Sequence, residues 1–140
     1  MARNIGAVLA GFLVVVVVVA GLQYAGSMFY PPPEGLDPFD PADAEAFVGY
    51  LADMPLASWV WVFGSEILGA FLGALAAGRI ANSHRSWFAA GIVALAVAGS
   101  INNWVSFSHP TWFMVGQPVA YLLVFLMVTW LLRRPGQQDS

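Results

Sequence analysis

Glu66 is the residue that asks first for a chemical explanation. It stands inside the apolar run from Leu56 to Ile80, about ten residues from one end and roughly 15 Å deep in a helix rising about 1.5 Å per residue. An ionised carboxylate in hydrocarbon is costly, and no basic side chain lies in the interior of any apolar run to pair with it. An acid so placed marks either a functional site or a buried hydrogen bond between helices. At about 100° per residue Glu66 shares a helical face with Trp59, Gly69, Ala70 and Gly73, so it is expected to point into a bundle. Neutral polar side chains occur at compatible depths: Gln23, Ser65, Asn102, Asn103, Gln117 and Tyr121. With Glu66 they form a candidate buried polar or transport site. Interhelical hydrogen bonds, worth about 0.6 kcal/mol each in membrane proteins, would explain the same residues without a ligand.

Other chemistries find less support. The chain has no cysteine, which removes thiolate metal sites, iron–sulfur clusters and a Cys nucleophile together. His84 and His109 fall in connections on opposite sides of a membrane and cannot share one metal or haem. His109, directly before Pro110, reads as a helix cap or surface group. No metal-binding HExxH, phosphate-binding loop or Ser-His-Asp arrangement is present. No catalytic residue, metal or cofactor is therefore expected, and an enzyme is the least supported class. A net charge of −3 gives no basic footprint for nucleic acid.

The elements that must hold these residues follow from composition. Of the 140 residues 59% are hydrophobic and only 9% charged, against roughly 25% charged in soluble domains. A soluble fold this small could not hide that much apolar surface. Four runs have spanning length: residues 5–29, 56–80, 87–107 and 111–132. None alternates as a barrel strand would, and backbone satisfaction in lipid leaves helices. The first run is too long for an ordinary signal-peptide core and reads as a retained helix. The expected fold is an all-α membrane protein, a single domain over 1–140, with four transmembrane helices in an antiparallel bundle. Residues 30–55 form an outer acidic loop and 133–140 a cytoplasmic tail.

All five basic residues, Arg3, Arg79, Arg85, Arg133 and Arg134, fall on one side if the helices alternate. The positive-inside rule then puts both termini in the cytoplasm. Glu34, Asp37, Asp40, Asp43, Glu45 and Asp53 land on the opposite side. Tyr30, Trp59, Trp104 and Trp112 are expected near the outer interface, Trp87 and Trp130 near the inner. In the outer loop, Asp40, Pro41 and Asp43 read as an N-cap, a first-turn proline and a first-turn acid. The helix they start runs to about Ala52, with Phe47, Leu51 and Met54 on one side, and lies along the interface or roofs the bundle. The loop acids lack EF-hand spacing, so capping and solubility explain them better than calcium.

Small residues fill two rows of the second span: Gly69, Gly73 and Ala77, and beside them Ala70, Ala74 and Gly78. Such rows let helix backbones approach closely. Packing within one chain is the plainer use, a homodimer contact the sharper one. Gly91, Ala94, Ala98 and Asn102 offer a matching face on the third span.

The segment Tyr30 to Asp37, Tyr-Pro-Pro-Pro-Glu-Gly-Leu-Asp, is accompanied by Pro55-Leu56 ahead of the small-residue-rich span and by His109-Pro110-Thr111-Trp112 ahead of the last. Together they resemble a group of small four-helix bacterial inner-membrane proteins of unassigned function. The resemblance implies a bacterial inner (plasma) membrane setting and transfers no catalytic or binding residue. The expected function is that of a non-enzymatic multi-pass protein, an accessory subunit or homo-oligomer whose partners are the lipid bilayer, itself or a larger membrane complex. The alternative is a small transporter or proton-coupled permease using Glu66.

Overall fold

The computed structural model describes residues 2–37 and 40–133, and Arg134 with the rest of the expected tail lies outside the described residues. The described elements are all helical: α1 (Ala2–Phe29), a 3-10 turn (Pro41–Asp43), α2 (Ala44–Ala52), α3 (Leu56–Ile80), α4 (Arg85–Ser106) and α5 (Thr111–Leu132). Four of them, α1, α3, α4 and α5, are long and apolar enough to cross a membrane. The valine run of α1 is a poor helix former in water, but a helix keeps every backbone hydrogen bond internal where lipid offers none.

The tightest packing joins α1 to α3, where the first small-residue row is used. A Cβ at Gly11 would stand 2.8 Å from the Gly73 carbonyl and 2.8 Å from Ala77, and one at Gly73 would stand 2.6 Å from the Gly11 carbonyl. Val15 and Val19 fill the space over Gly73 and Gly69. As α1 runs from Gly11 to Val19, its partners on α3 therefore run backwards from Ala77 to Gly69. Hydrogen bonds close both ends of this seam. At one, Arg3 Nε donates to the Ile80 carbonyl at 2.7 Å, and the Asn82 amide donates to Asn4 Oδ1 at 3.2 Å. At the other, Trp61 Nε1 donates to the Leu22 carbonyl at 2.6 Å, its ring lying where a side chain at Gly26 would be.

The second row faces the other way. Ala70 and Ala74 are buried with Ala89, Ile92 and Val93 of α4 and with Tyr121, Val124 and Val128 of α5. Gly78 receives Leu132. Both rows are thus covered within one chain. The expected matching face on α4 is corrected: Gly91, Ala94, Ala98 and Asn102 are all exposed, and Ala89, Ile92, Val93 and Ser100 are buried instead. Here Ile92 and Val93 fill the volume that the small residues of α3 leave.

Arg3, Arg85 and Arg133 gather with the tight connection 81–84 at one end of the bundle, the arginine end. His84 closes that connection in the left-handed region, at φ 51°. The opposite, loop end is rich in aromatics. Phe113, fully buried, meets Trp59, Phe63, Trp112 and His109 with ring centroids 5.2–5.7 Å apart. Two expectations change here. Trp59 is a buried core residue, not an interface anchor. His109 does not cap α5; its Nδ1–H donates to the carbonyl of Phe107, which ends α4, at 2.8 Å, and its ring lies tilted 5.2 Å from that of Trp59. Trp87 and Trp130 are 74% and 67% exposed, as lipid-facing anchors would be. Asp40 caps as expected, accepting from the Ala42 amide at 2.9 Å, and Asp43 accepts from the Asp37 amide at 2.9 Å. The face of α2 bearing Phe47 turns to the bundle, with Phe47 edge-on to Phe107 at 5.3 Å.

Candidate functional site

Glu66 projects from α3 at the level where α4 and α5 bring polar side chains together. Gln117 Nε2 donates to Glu66 Oε2. On the far side of the same amide, Trp104 Nε1 donates to Gln117 Oε1 at 3.0 Å. An indole N–H can only donate, so Gln117 must turn its oxygen to Trp104 and its nitrogen to Glu66. A second file reaches the same oxygen: Ser100 Oγ donates to Glu66 Oε2 over a long 3.4 Å, which leaves the Tyr121 hydroxyl to donate to Ser100 Oγ at 2.7 Å. Both files, Trp104–Gln117 and Tyr121–Ser100, point their hydrogens at one carboxyl oxygen. Gln117 is fully buried, with Ser100 and Tyr121 nearly so.

The other oxygen is different. Glu66 Oε1 takes no hydrogen bond from the described residues, and Ser58 Oγ is the only sealed side-chain polar atom there without a partner. Oε1 is therefore not sealed, and Glu66 lines a cleft of about 470 Å³ between α1 and α4. Val15, Val19, Ile92 and Ala96 line its depths, with Glu66, Ser100 and Tyr121 at the back. Phe12, Val16 and Ala20 of α1 and Leu95, Gly99 and Asn102 of α4 line it too and are themselves exposed, so they form a rim open to the side of the bundle. The spacing, about one helical turn between successive rim residues, keeps each row on one face. Towards the arginine end the cleft stops where Ile92, almost fully buried, comes within 3.0 Å of a Cβ position at Gly11. Towards the loop end Gln23 lines both this cleft and a smaller cavity of about 230 Å³ under α2, which Ser58, Tyr30 and Tyr50 also line.

The candidate polar set thus divides. Glu66, Gln117 and Tyr121 are joined in one network. Gln23, Asn102 and Asn103 line the cleft beside it without bonding to Glu66. Ser65 stays apart, its hydroxyl donating back to the Val62 carbonyl of its own helix at 2.7 Å. Ser100 and Trp104 belong to the network although sequence reasoning passed over both. Following the buried face of α4 in steps of four, Ile92 to Ala96 to Ser100 to Trp104, would have found them. Among the described residues no three His, Asp or Glu side chains gather where a metal could be held.

No protein-family model matches this chain, and no curated protein or solved structure matches it.

Proposed function

We propose that this protein is a non-enzymatic multi-pass protein of a bacterial inner membrane that binds a small molecule in the cleft between α1 and α4, with the Glu66 carboxyl as its point of recognition. The observation that carries this reading is the orientation of the network. Four side chains hold one carboxyl oxygen in place and leave the other free at a cavity wall. Conduction across the membrane is less well supported, because below Ile92 the core of α3, α4 and α5 is apolar down to Leu132. Assembly with a second copy through the small-residue rows is also less well supported, since α1, α4 and α5 already cover them.

In this reading the spans form an antiparallel bundle with the arginine end and both termini in the cytoplasm, and α2 lies along the outer interface. Four arginines, Arg3, Arg79, Arg85 and Arg133, at one end and the acidic loop at the other support that orientation. A cysteine replacing Asp43 should react with an impermeant maleimide from outside, and one replacing Ser83 should not. The reverse pattern overturns the orientation. The site itself is tested with dicyclohexylcarbodiimide, a membrane-soluble reagent for accessible carboxyls. Peptide mapping should find its adduct on Glu66, with labelling weakened in Gly99→Leu, whose side chain fills the cleft. A Glu66 that stays unmodified in the folded protein overturns the binding reading.

A further inference from the structure

The cleft's occupant can be narrowed by charge, on the footing of the binding reading above. Among the described residues no cation faces Glu66. The nearest arginine on its helix is Arg79, thirteen residues or roughly 20 Å along the axis, and the other described arginines cluster with it at the arginine end. The groups packed around the carboxyl from α4 and α5 are Ser100, Gln117 and Tyr121, all neutral donors or relays of donors. A carboxylate in a low-dielectric site is stabilised most by a charge-assisted hydrogen bond from a cation, and none of the described residues supplies one. When ionised, Glu66 leaves Oε1 without a donor and its charge without a partner, and the cleft is lined by Phe12, Val15, Val16, Val19 and Leu95, with the amides of Gln23, Asn102 and Asn103 beside them. The rim opens sideways, through residues exposed on the lipid-facing surface.

We infer that the cleft takes a protonated amine carried on a compact apolar body, entering from the side between α1 and α4, with its N–H groups on Glu66 Oε1 and its hydrocarbon against the valines of α1. A volume of about 470 Å³ leaves room for such a body and far exceeds what a bare inorganic cation needs. Selectivity then rests on Glu66 for charge and on Phe12, Val16, Ala20 and Leu95 of the rim for bulk.

Three probes of one shape separate these contributions: aminoadamantane, adamantanol and adamantane carboxylate. Each is titrated calorimetrically into the full-length protein in mild detergent, near neutral pH. Gly99→Leu is run in parallel so that partition into the micelle is measured with the cleft filled. Wild type should bind the amine about tenfold or more tightly than the alcohol, the expected size of one charge-assisted hydrogen bond, and should reject the carboxylate. Glu66→Gln keeps shape and can accept from both Gln117 and Ser100, so it should fold normally, and in it the amine's advantage should vanish while the alcohol is unaffected. An amine no tighter than the alcohol in wild type, or a preference that survives Glu66→Gln, overturns the inference. If the alcohol binds equally well and Gly99→Leu abolishes it, the binding reading stands and only the charge assignment falls. If no probe binds and the carbodiimide also fails to reach Glu66, the binding reading falls with it.

Discussion

Helix α1 meets two neighbours in opposite ways. Against α3 it is in backbone contact, Gly11 on Gly73 and Val15 beside Gly69. Against α4 it touches at Gly11 and Ile92 and then stands off, leaving the cleft that reaches Glu66. Both interfaces contain glycine, so small residues alone do not draw helices together. At the seam each glycine lies under the opposing backbone, and a carbonyl or a valine methyl occupies the space a Cβ would take. At the cleft a Cβ on Gly99 would meet nothing within 4 Å. The seam fixes the course of α1, and Ile92 acts as a stop that keeps it from settling onto α4. One face of α1 provides stability by close packing; the other leaves a void with a polar back wall.

The largest effect should come from breaking the seam. Gly73→Leu sets a side chain against the Gly11 carbonyl and the Val15 side chain, and backbone cannot yield as a flexible side chain can. Overpacking of this kind costs about 3 kcal/mol, or more where backbone is struck. A melt of the detergent-solubilised protein should show a pronounced fall in Tm or loss of the folded state. Val17→Leu, on the exposed lipid face of α1, should melt as wild type does. Equal behaviour of the two variants would remove the argument that α1 and α3 are held by close approach.

A middle-sized effect belongs to the back wall of the cleft. Gln117→Leu removes a fully buried amide that serves two partners, leaving Trp104 Nε1 and Glu66 Oε2 short of a bond each. A loss of about 1–2 kcal/mol is expected. Tyr121→Phe takes away only the last donor of the other file and should cost about 0.6 kcal/mol, an ordinary interhelical bond. The two costs are compared by thermal melts of the detergent-solubilised protein. Tyr121→Phe proving as damaging as Gln117→Leu would mean that the Ser100 file, not the Gln117 amide, positions the carboxyl.

The spans and the buried side of α3 were legible because lipid leaves helices as the only option and because periodicity places Glu66, Gly69, Ala70 and Gly73 together. The cleft was not. Whether a small residue is pressed by a neighbour or faces a gap depends on where the next helix passes, and sequence carries no direct record of that. The same limit explains the misplaced face of α4: Gly91, Ala94 and Ala98 look like contact residues by type, yet the contacts fall to Ile92 and Val93, whose bulk suits the smooth rows of α3. His109 shows it on a smaller scale, since its position before Pro110 suggests a cap, while its surroundings of Trp59 and Phe113 make it part of an aromatic cluster.

The smallest effect on stability, and the sharpest on the comparison, is expected from Gly99→Leu. The substitution resembles Gly73→Leu in chemistry and lies in the neighbouring span, so helix propensity changes similarly in both. What differs is the space. At Gly99 the new side chain enters the cleft, where a Cβ has no neighbour within 4 Å, so no backbone has to move. Replacing a helical glycine removes some freedom from the unfolded chain and favours the helix by about 0.5–1 kcal/mol, which offsets any crowding against Val16 or Leu95. The melt should therefore match wild type or lie slightly above it. Access to Glu66 should nevertheless fall, because the leucine occupies the space in front of Oε1. A variant that melts normally and loses carbodiimide labelling separates binding from folding at one position. A variant that melts as low as Gly73→Leu would show that α1 packs against α4 after all, and that the cleft is closed in the folded protein.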